Sequence, residues 1–285
     1  METQQTNNYT EIQILKASGI KEAFAVEKLK RSLHNAGASY KSIAHIVNDI
    51  KEWIYPGVTT KKIYSRAFSL LHKERSGSSI RYKLKQSIFE LGPSGYPFEH
   101  FIGQIFERLG YSTEVGIVVD GISISHEMDV IATKAPLQHI MECKYHKDQG
   151  KQVSIQVPLY VRARVDDIIR KREKMTEYHG LDFKAWVVTN TRFSPDSIKY
   201  GECNGMKLLA WDYPVGNGLK DLIDKVKIYP ITILSQLLKK QKQILLDKGI
   251  VSCLQLLDQI QLLDEMEISP RKQKALIKEL HGICG

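Results

Sequence analysis

Short apolar runs rich in β-branched residues alternate with longer stretches of helical spacing in the middle of this 285-residue chain. Such runs are typical of buried strands, and they occupy 116–119, 128–132, 140–145 and 185–189. A long helical stretch lies between the last two runs, and Pro158 allows its helix to begin only near that position. The middle of the chain is therefore predicted to be an α/β (α+β) fold, a mixed central sheet flanked by helices.

The two ends of the chain have a different pattern. The N-terminal segment begins with strand-like runs on either side of Gly19. Four amphipathic stretches follow, at 26–36, 42–53, 59–72 and 79–91. The C-terminal segment repeats leucine at helical intervals throughout. We predict a mostly helical first segment and an all-helical last one.

Three domains follow from these patterns, at 11–92, 93–218 and 219–285. A chain of this length exceeds the usual size of a single core. The first boundary falls in Gly92-Pro93-Ser94-Gly95, a run of turn-forming residues.

Composition narrows the class of protein. A hydrophobic content of 42% with 26% charged residues fits a globular protein. Apolar runs all fall short of the roughly 18 residues that span a bilayer, and the first dozen residues lack the features of a secretory signal. We therefore expect a cytoplasmic protein without membrane contact. The cysteines have no CxxC spacing, which predicts neither a zinc site nor a disulfide framework; they are Cys143, Cys203, Cys253 and Cys284.

The formal net charge of +9 is concentrated in the two terminal segments, whereas the middle is nearly neutral. Basic flanks suit polyanion binding, because lysine and arginine release counterions from a phosphate backbone. On charge alone, a role in solubility is the simpler explanation.

The predicted strand around 140–145 carries a carboxylate and an ammonium group two positions apart. Because side chains alternate along a strand with a rise of roughly 3.3 Å per residue, Glu142 and Lys144 share one face about 7 Å apart. Asp129, from the preceding strand, would join them. Two carboxylates suit Mg²⁺, which accepts an incomplete protein cage, with the backbone carbonyl of Cys143 as a further ligand. This set predicts hydrolysis of a phosphodiester.

Other side chains are candidates for the same site. Glu99, on the helix before the strands, is predicted either to hold a metal ion or to be an ordinary exposed carboxylate. Gln156 and Tyr160 are one helical turn apart and would meet the substrate backbone. The helix also carries a row of cations that suit phosphates if they face the cleft, and otherwise form a solvated face; they are Arg162, Arg164, Arg170, Lys171, Arg172 and Lys174.

Asp129 with Glu142-Cys143-Lys144 resembles the Asp…Glu-x-Lys signature of the PD-(D/E)xK nuclease superfamily, and within it the Mrr-like type IV restriction endonucleases. Glu-x-Lys alone is a weak signal, but further blocks follow in the family's order, at 95–101, 109–111, 186–193 and 208–212. The resemblance implies a Mg²⁺- or Mn²⁺-dependent endonuclease that cuts DNA in bacterial defence. It also implies a homo-oligomer, at least a dimer, and a catalytic role for Asp129, Glu142, Lys144 and Glu99.

The N-terminal segment resembles the ATP-cone, the nucleotide-sensing domain of ribonucleotide reductases, through Lys16-Ala17-Ser18-Gly19, Glu22, Lys28 and Thr60. The resemblance implies ATP or dATP as an effector, with Lys16 and Lys28 on the phosphates, Glu22 near the loop and Thr60 near the base. Ser18 and Ala25 depart from the residues common in the family. A retained fold that serves only as a platform for dimerisation or DNA therefore stays an alternative.

The C-terminal segment resembles tandem helix-hairpin-helix modules at 246–251 and 268–272. Such hairpins present backbone amides to nucleic-acid phosphates. The second lacks glycine, so a structural or dimerising bundle stays an alternative.

The leading hypothesis is a Mg²⁺-dependent DNA endonuclease regulated by ATP or dATP. A nucleotide-sensing, nucleic-acid-binding regulator without catalysis is one alternative, and a nuclease that acts on RNA is another.

Overall fold

The computed structural model describes residues 12–16, 19–36, 38–73, 78–266 and 268–284. The chain forms two compact units, of which the first ends at Lys83 and the second begins at Leu84. The division into three domains stays a prediction, and its starting residue, Glu11, lies outside the described residues. Within the described ranges, the helices are all too short or too polar to cross a membrane.

The first unit begins with a two-stranded antiparallel sheet and continues with helices. The sheet pairs β1 (Gln13–Leu15) with β2 (Lys21–Ala23), and Gly19 turns between them with a φ of 80°, which favours glycine. The helices are α1 (Val26–Asn35), α2 (Tyr40–Trp53), α3 (Thr60–Lys73) and α4 (Ser78–Phe89), the last of which ends in the second unit. These elements confirm the strands and amphipathic stretches predicted from the spacing.

The second unit contains a five-stranded mixed sheet flanked by helices, which confirms the predicted α/β fold. Its elements up to the last strand are α5 (Tyr96–Arg108), β3 (Ser112–Asp120), β4 (Ser125–Lys134), β5 (Leu137–Lys144), α6 (Gln156–Arg172), β6 (Asp182–Thr189), α7 (Pro195–Cys203) and β7 (Lys207–Leu209). The strand order is β3-β4-β5-β6-β7. The first three strands are antiparallel, and β5, β6 and β7 are parallel. Helix α6 makes the crossover from β5 to β6.

Two layers of helices cover the sheet. Buried residues of α6, such as Val161 and Val165, pack against Ile140 and Val187 on one face. Phe106 of α5 contacts the rings of His139 and Trp186 on the other face. Because side chains alternate along a strand, Glu142 and Lys144 of β5 share the α6 face with Ile140.

The last strand is shorter than the block 208–212 predicted. β7 ends at Leu209, because Ala210 bridges back to Tyr213 and the chain turns. The C-terminal region is helical as predicted, apart from an isolated β-bridge between Pro230 and Ser252. Its helices are α8 (Leu219–Val226), α9 (Lys239–Asp247), α10 (Cys253–Asp258) and α11 (Pro270–Cys284), and short 3-10 helices lie at Ile231–Ile233 and Ile260–Leu263.

A buried carboxylate of α6 anchors the turn between β3 and β4. Asp167 accepts hydrogen bonds from the backbone nitrogens of Ser123 (3.1 Å) and Ile124 (3.3 Å). Its Oδ2 atom lies 2.9 Å from Nε2 of His126. Hydrogen bonds from Ser123 and His126 hold the pKa of Asp167 below its ordinary value. The turn is thus tied to α6 by a charged acceptor.

We predict that Asp167→Asn lowers the melting temperature by several degrees at neutral pH, because the amide removes the charge and places a donor beside groups that donate. Differential scanning fluorimetry measures the change. The adjacent Asp166→Asn is the control, since Asp166 pairs with Arg162 in a half-exposed i,i+4 contact of small value. Equal melting temperatures for the two variants would contradict the anchoring role.

Candidate active site

The strands β4 and β5 part where the candidate carboxylates lie. Their antiparallel pairing ends at Val130 and Met141. Beyond that pair, Oδ2 of Asp129 accepts a hydrogen bond of 2.6 Å from the backbone nitrogen of Cys143. The Asp129 side chain thus accepts a hydrogen bond that a backbone carbonyl would accept in a continuous sheet. This contact sets the Asp129 carboxylate next to Glu142.

Strand β3 has an unusual backbone conformation at the same level. Gly116 has a φ of 64°, and the pairing of β3 with β4 places it opposite Asp129. A left-handed conformation costs a residue with a side chain roughly 1–2 kcal/mol. A β-carbon there would have no neighbour within 4 Å, so the need for glycine is conformational. An isolated glycine in a strand pattern was the signal available in the sequence.

Two cations hold the buried Glu142. Nζ of Lys144 lies 2.5 Å from Oε1, and Nη1 of Arg164 lies 2.5 Å from Oε2. The side chain of Glu142 is only 6% exposed, whereas that of Lys144 is 36% exposed. Burial of a carboxylate requires such partners. The pair with Lys144 agrees with the predicted shared face.

Arg164 is the residue that the sequence did not single out. Among the cations on α6, its side chain faces the site and is only 12% exposed. Its guanidinium also donates to the backbone carbonyl of Glu127 and lies over the ring of Tyr160, 5.0 Å from the centroid. Arg162 instead pairs with Asp166 on the same helix. The row of cations therefore divides between the site, the surface and the interior, where Arg172 is buried and donates to the side chain of Gln138.

Helix α5 brings a third carboxylate to the cluster. Burial and the neighbouring charges of Asp129 and Glu142 raise the pKa of Glu99 to about 7. Burial, followed by the charge of Glu142, raises the pKa of Asp129 to about 6, against the hydrogen bond from Cys143. The negative charges of Asp129 and Glu142 thus act on Glu99 in addition to its burial.

The balance of charge fits a bound divalent cation. Among the residues that the structure describes, no group of three or more His, Cys, Asp or Glu side chains is arranged to hold a metal ion. Mg²⁺ does not need such a group, because it commonly binds one or two carboxylates together with water and phosphate oxygens. Burial, and after it the repulsion from neighbouring carboxylates, raises the pKa values of Glu99 and Asp129, and a cation would relieve that repulsion. Burial raises the pKa of the Cys143 thiol well above its usual value, so the backbone carbonyl is the better donor there.

The predicted nucleotide contacts of the first unit also lie together. Oε2 of Glu22 is 2.7 Å from Nζ of Lys16 and 3.4 Å from Nζ of Lys28. Thr60 begins α3, one residue beyond a bridge that connects Thr59 to β1. Two ammonium groups therefore converge on one carboxylate.

One of the two departures from the ATP-cone pattern, Ala25, lies at the start of α1. Ala25 is the N-cap of α1 and makes no side-chain capping hydrogen bond. Lys28 lies in the first turn of that helix. Ser18 lies outside the described residues.

Comparisons with known proteins agree with this site. Residues 92–213 match a family model described as restriction endonuclease, and residues 229–284 match one described as AF1548-like, C-terminal. An uncharacterized protein of Archaeoglobus fulgidus is 30% identical over 185 residues, which are 65% of this chain and 100% of the relative. The crystal structure of AF1548, a protein of unknown function, is 30% identical, with a TM-score of 0.54 over 67% of this chain and 99% of that one.

The structure of the MspJI restriction endonuclease in complex with a 27-mer oligonucleotide shows a much lower likeness. It is 14% identical, with a TM-score of 0.30 over 47% of this chain and 30% of that one, which is too low to support an argument.

Residues 92–213 thus match a restriction endonuclease domain, which supports a nuclease. The chain belongs to the family of AF1548-like proteins, since its matches cover these relatives almost completely. Restriction endonuclease domains generally use divalent metals, in agreement with the carboxylate cluster. The resemblance to a restriction endonuclease is confirmed, while the ATP-cone and helix-hairpin-helix resemblances stay predictions.

We predict that Glu99→Gln stabilises the metal-free protein at pH 8. The folded-state pKa of Glu99 is raised from 4.5 to about 7, so ionisation destabilises the fold increasingly from pH 4.5 upwards and fully above pH 7. Because the side chain is partly exposed and solvent screens the repulsion, we expect the substitution to raise the free energy of unfolding by about 1 kcal/mol. The gain should fall towards zero as the pH approaches 4.5. Thermal melts in EDTA across this range measure it.

Glu173→Gln is the control for this prediction, because Glu173 is an exposed residue at the end of α6. Addition of Mg²⁺ at pH 8 should raise the melting temperature of the wild type more than that of Glu99→Gln. A gain that is independent of pH, or no shift with Mg²⁺ in the wild type, would contradict the cation site.

Proposed function

We propose that this protein is a Mg²⁺- or Mn²⁺-dependent endonuclease that hydrolyses phosphodiester bonds in DNA. The observation that carries the proposal is the convergence of Asp129, Glu142 and Lys144 where β4 and β5 part. This convergence lies within the restriction endonuclease match. A protein that only bound nucleic acid would have no need of the three groups together.

Asp129 and Glu142, with the backbone carbonyl of Cys143, would hold the ion. When bound, it would polarise a phosphate oxygen and make a bound water more acidic. Glu99 would anchor this ion or hold a second one. Its raised pKa means that it is partly protonated near neutral pH, so cation binding should release a proton.

Lys144 is placed to act on the reacting groups. Its ammonium is fixed by Glu142 and is more than a third exposed, so it is accessible to a substrate. There it would hold the attacking water and offset the negative charge that develops on the phosphate oxygens.

Arg164 acts through Glu142 and is a positioning residue. Its guanidinium connects the Glu142 carboxylate to the backbone of Glu127 on β4. The planar guanidinium donates to the two acceptors in fixed directions, which a lysine could not do. It thereby sets the orientation of Glu142 relative to Asp129.

The restriction endonuclease match and the net charge of +9 support DNA as the proposed substrate and a proposed role in defence against foreign DNA. A polyanion gains affinity from such a charge by counterion release. RNA presents the same phosphodiester to the same groups. The two substrates are therefore separated by experiment.

Asp129→Asn and Lys144→Met test the proposed site. We expect each to reduce cleavage of supercoiled plasmid in Mg²⁺ by on the order of 100-fold or more. In Asp129→Asn the side-chain amide oxygen would still accept from the backbone nitrogen of Cys143, which preserves the local backbone. Gel assays with plasmid and with structured RNA, with and without EDTA, measure the activity. Asp196→Asn, at an exposed position in α7, is the control and should retain activity.

The outcomes separate the alternatives. Cleavage that survives both Asp129→Asn and Lys144→Met would refute the site. Cleavage of RNA alone would change the substrate class. DNA binding without nicking in any metal would favour a regulator without catalysis.

We further propose that the first unit binds ATP or dATP and that the nucleotide regulates cleavage or assembly, with at least a dimer as the assembly. Lys16 and Lys28 supply two ammonium groups beside the first turn of α1. A triphosphate would exchange for Glu22 as their partner.

We expect ATP or dATP to change the sedimentation coefficient of the wild type, and Lys28→Ala to remove the change, because Lys28 supplies a phosphate contact. Lys30→Ala is the control, since Lys30 pairs with Glu27 on the same helix. Analytical ultracentrifugation and calorimetry measure assembly and binding. The absence of nucleotide binding to the wild type would refute this part.

A further inference from the structure

A basic cavity of about 480 Å³ lies beside the end of β5, within the second unit. Tyr145 and Lys147, which follow the strand, line one side. Thr232, from the 3-10 helix after α8, lines another side, as do Lys239 and Lys242 of α9. The cavity thus combines the restriction endonuclease domain with the AF1548-like C-terminal region.

Lys242 is a buried cation in the wall of this cavity. The residue is only 9% exposed. Its ammonium donates to the backbone carbonyl of Thr232 at 2.5 Å and lies 3.8 Å from the carboxylate of Glu90. Burial lowers the pKa of Lys242, so the fold keeps a lysine where its charge is costly. An additional anion in the cavity would offset that cost.

The wall that holds Lys242 is itself fixed. Oγ1 of Thr232 donates to the backbone carbonyl of Ser87 at 2.6 Å, which attaches the 3-10 helix to the end of α4. The hydroxyl of Tyr145 donates to the carbonyl of Phe89 at 2.6 Å and accepts from the nitrogen of Gly92 at 3.0 Å. The cavity is therefore preorganised, which lowers the cost of binding.

The charges around the cavity are mainly positive. Lys147 and Lys239 are exposed and Lys242 is buried. Two carboxylates oppose them: Glu90 lines the cavity, and the charge of Glu279 also acts on Lys242. A concave, low-dielectric wall focuses the field of such cations. The loop that carries Lys147 is held on the other side by Arg192, which donates to the carbonyl of Gly150.

The cavity is adjacent to the proposed catalytic groups. Tyr145 directly follows Lys144, and Lys147 is three residues from it. At roughly 3.3 Å per extended residue, the Cα atoms of Lys144 and Lys147 are at most about 10 Å apart.

We propose that this cavity binds phosphodiester groups of the DNA strand beside the bond that is cut. Lys147, Lys239 and Lys242 are the phosphate contacts. The proposal rests on the proposed DNA-cleaving function for its ligand. In this proposal α9 helps to hold the substrate through Lys239 and Lys242, which lie in the first half of the helix.

The double variant Lys147→Ala/Lys239→Ala tests the proposal, because both side chains are exposed and their loss leaves the fold intact. Binding of a fluorescent DNA duplex to the full chain is measured by anisotropy in EDTA over a range of salt concentrations. We expect at least a tenfold loss of affinity at about 0.1 M salt. We also expect the slope of log K against log salt to fall by about one for each lysine. The KM for cleavage should rise in parallel.

The matched control is Lys274→Ala/Lys278→Ala, which removes the same charge from exposed positions of α11. Equal effects of the two double variants would overturn the proposal, because they would show that DNA affinity depends only on the overall charge of the protein. A wild type that neither binds nor cuts DNA would instead refute the proposed function. If inorganic phosphate or ATP binding is lost in Lys147→Ala/Lys239→Ala while DNA affinity is retained, the cavity serves a free phosphate ligand, and the proposal fails.

Discussion

The repulsion between carboxylates on two parting strands is the constraint on which the rest of the site depends. Asp129 and Glu142 lie side by side because the pairing of β4 with β5 ends immediately before them. Like charges in a half-buried environment are tolerated only with partners. Lys144 and Arg164 supply these partners for Glu142, whereas Asp129 has a backbone nitrogen. The remaining negative charge is what a divalent cation would neutralise.

Helix α6 maintains this arrangement from one side of the sheet. Its Arg164 connects Glu142 to the backbone of β4, and one turn later its Asp167 binds the β3–β4 turn. Both contacts act on β4, the strand that carries Asp129. The crossover helix therefore fixes the separation of the two carboxylates, besides covering the apolar face of the sheet.

The C-terminal region lies beside the same end of β5 as the candidate site. Tyr145 and Thr232 each connect to the end of α4, at Phe89 and Ser87 respectively. These hydrogen bonds hold the wall of the cavity that Lys239 and Lys242 of α9 line together with Tyr145 and Lys147. A region that matches its own family model at 229–284 thus contributes cations where the nuclease domain would present its substrate.

The sequence by itself determined the strands and helices and the shared face of Glu142 and Lys144. Periodicity and alternation are local properties, and two residues on one strand need no tertiary contact to be related. The sequence could not decide which cation on α6 faces the site, because Arg164 is 22 residues from Glu142. Periodicity predicts which residues share a helix face, but it does not predict which other element that face contacts. The early end of β7 at Leu209 and the burial of Lys242 likewise depend on segments that meet only in the folded chain. Tertiary structure therefore decided the partners of each charge, since these depend on packing between elements that are distant in sequence.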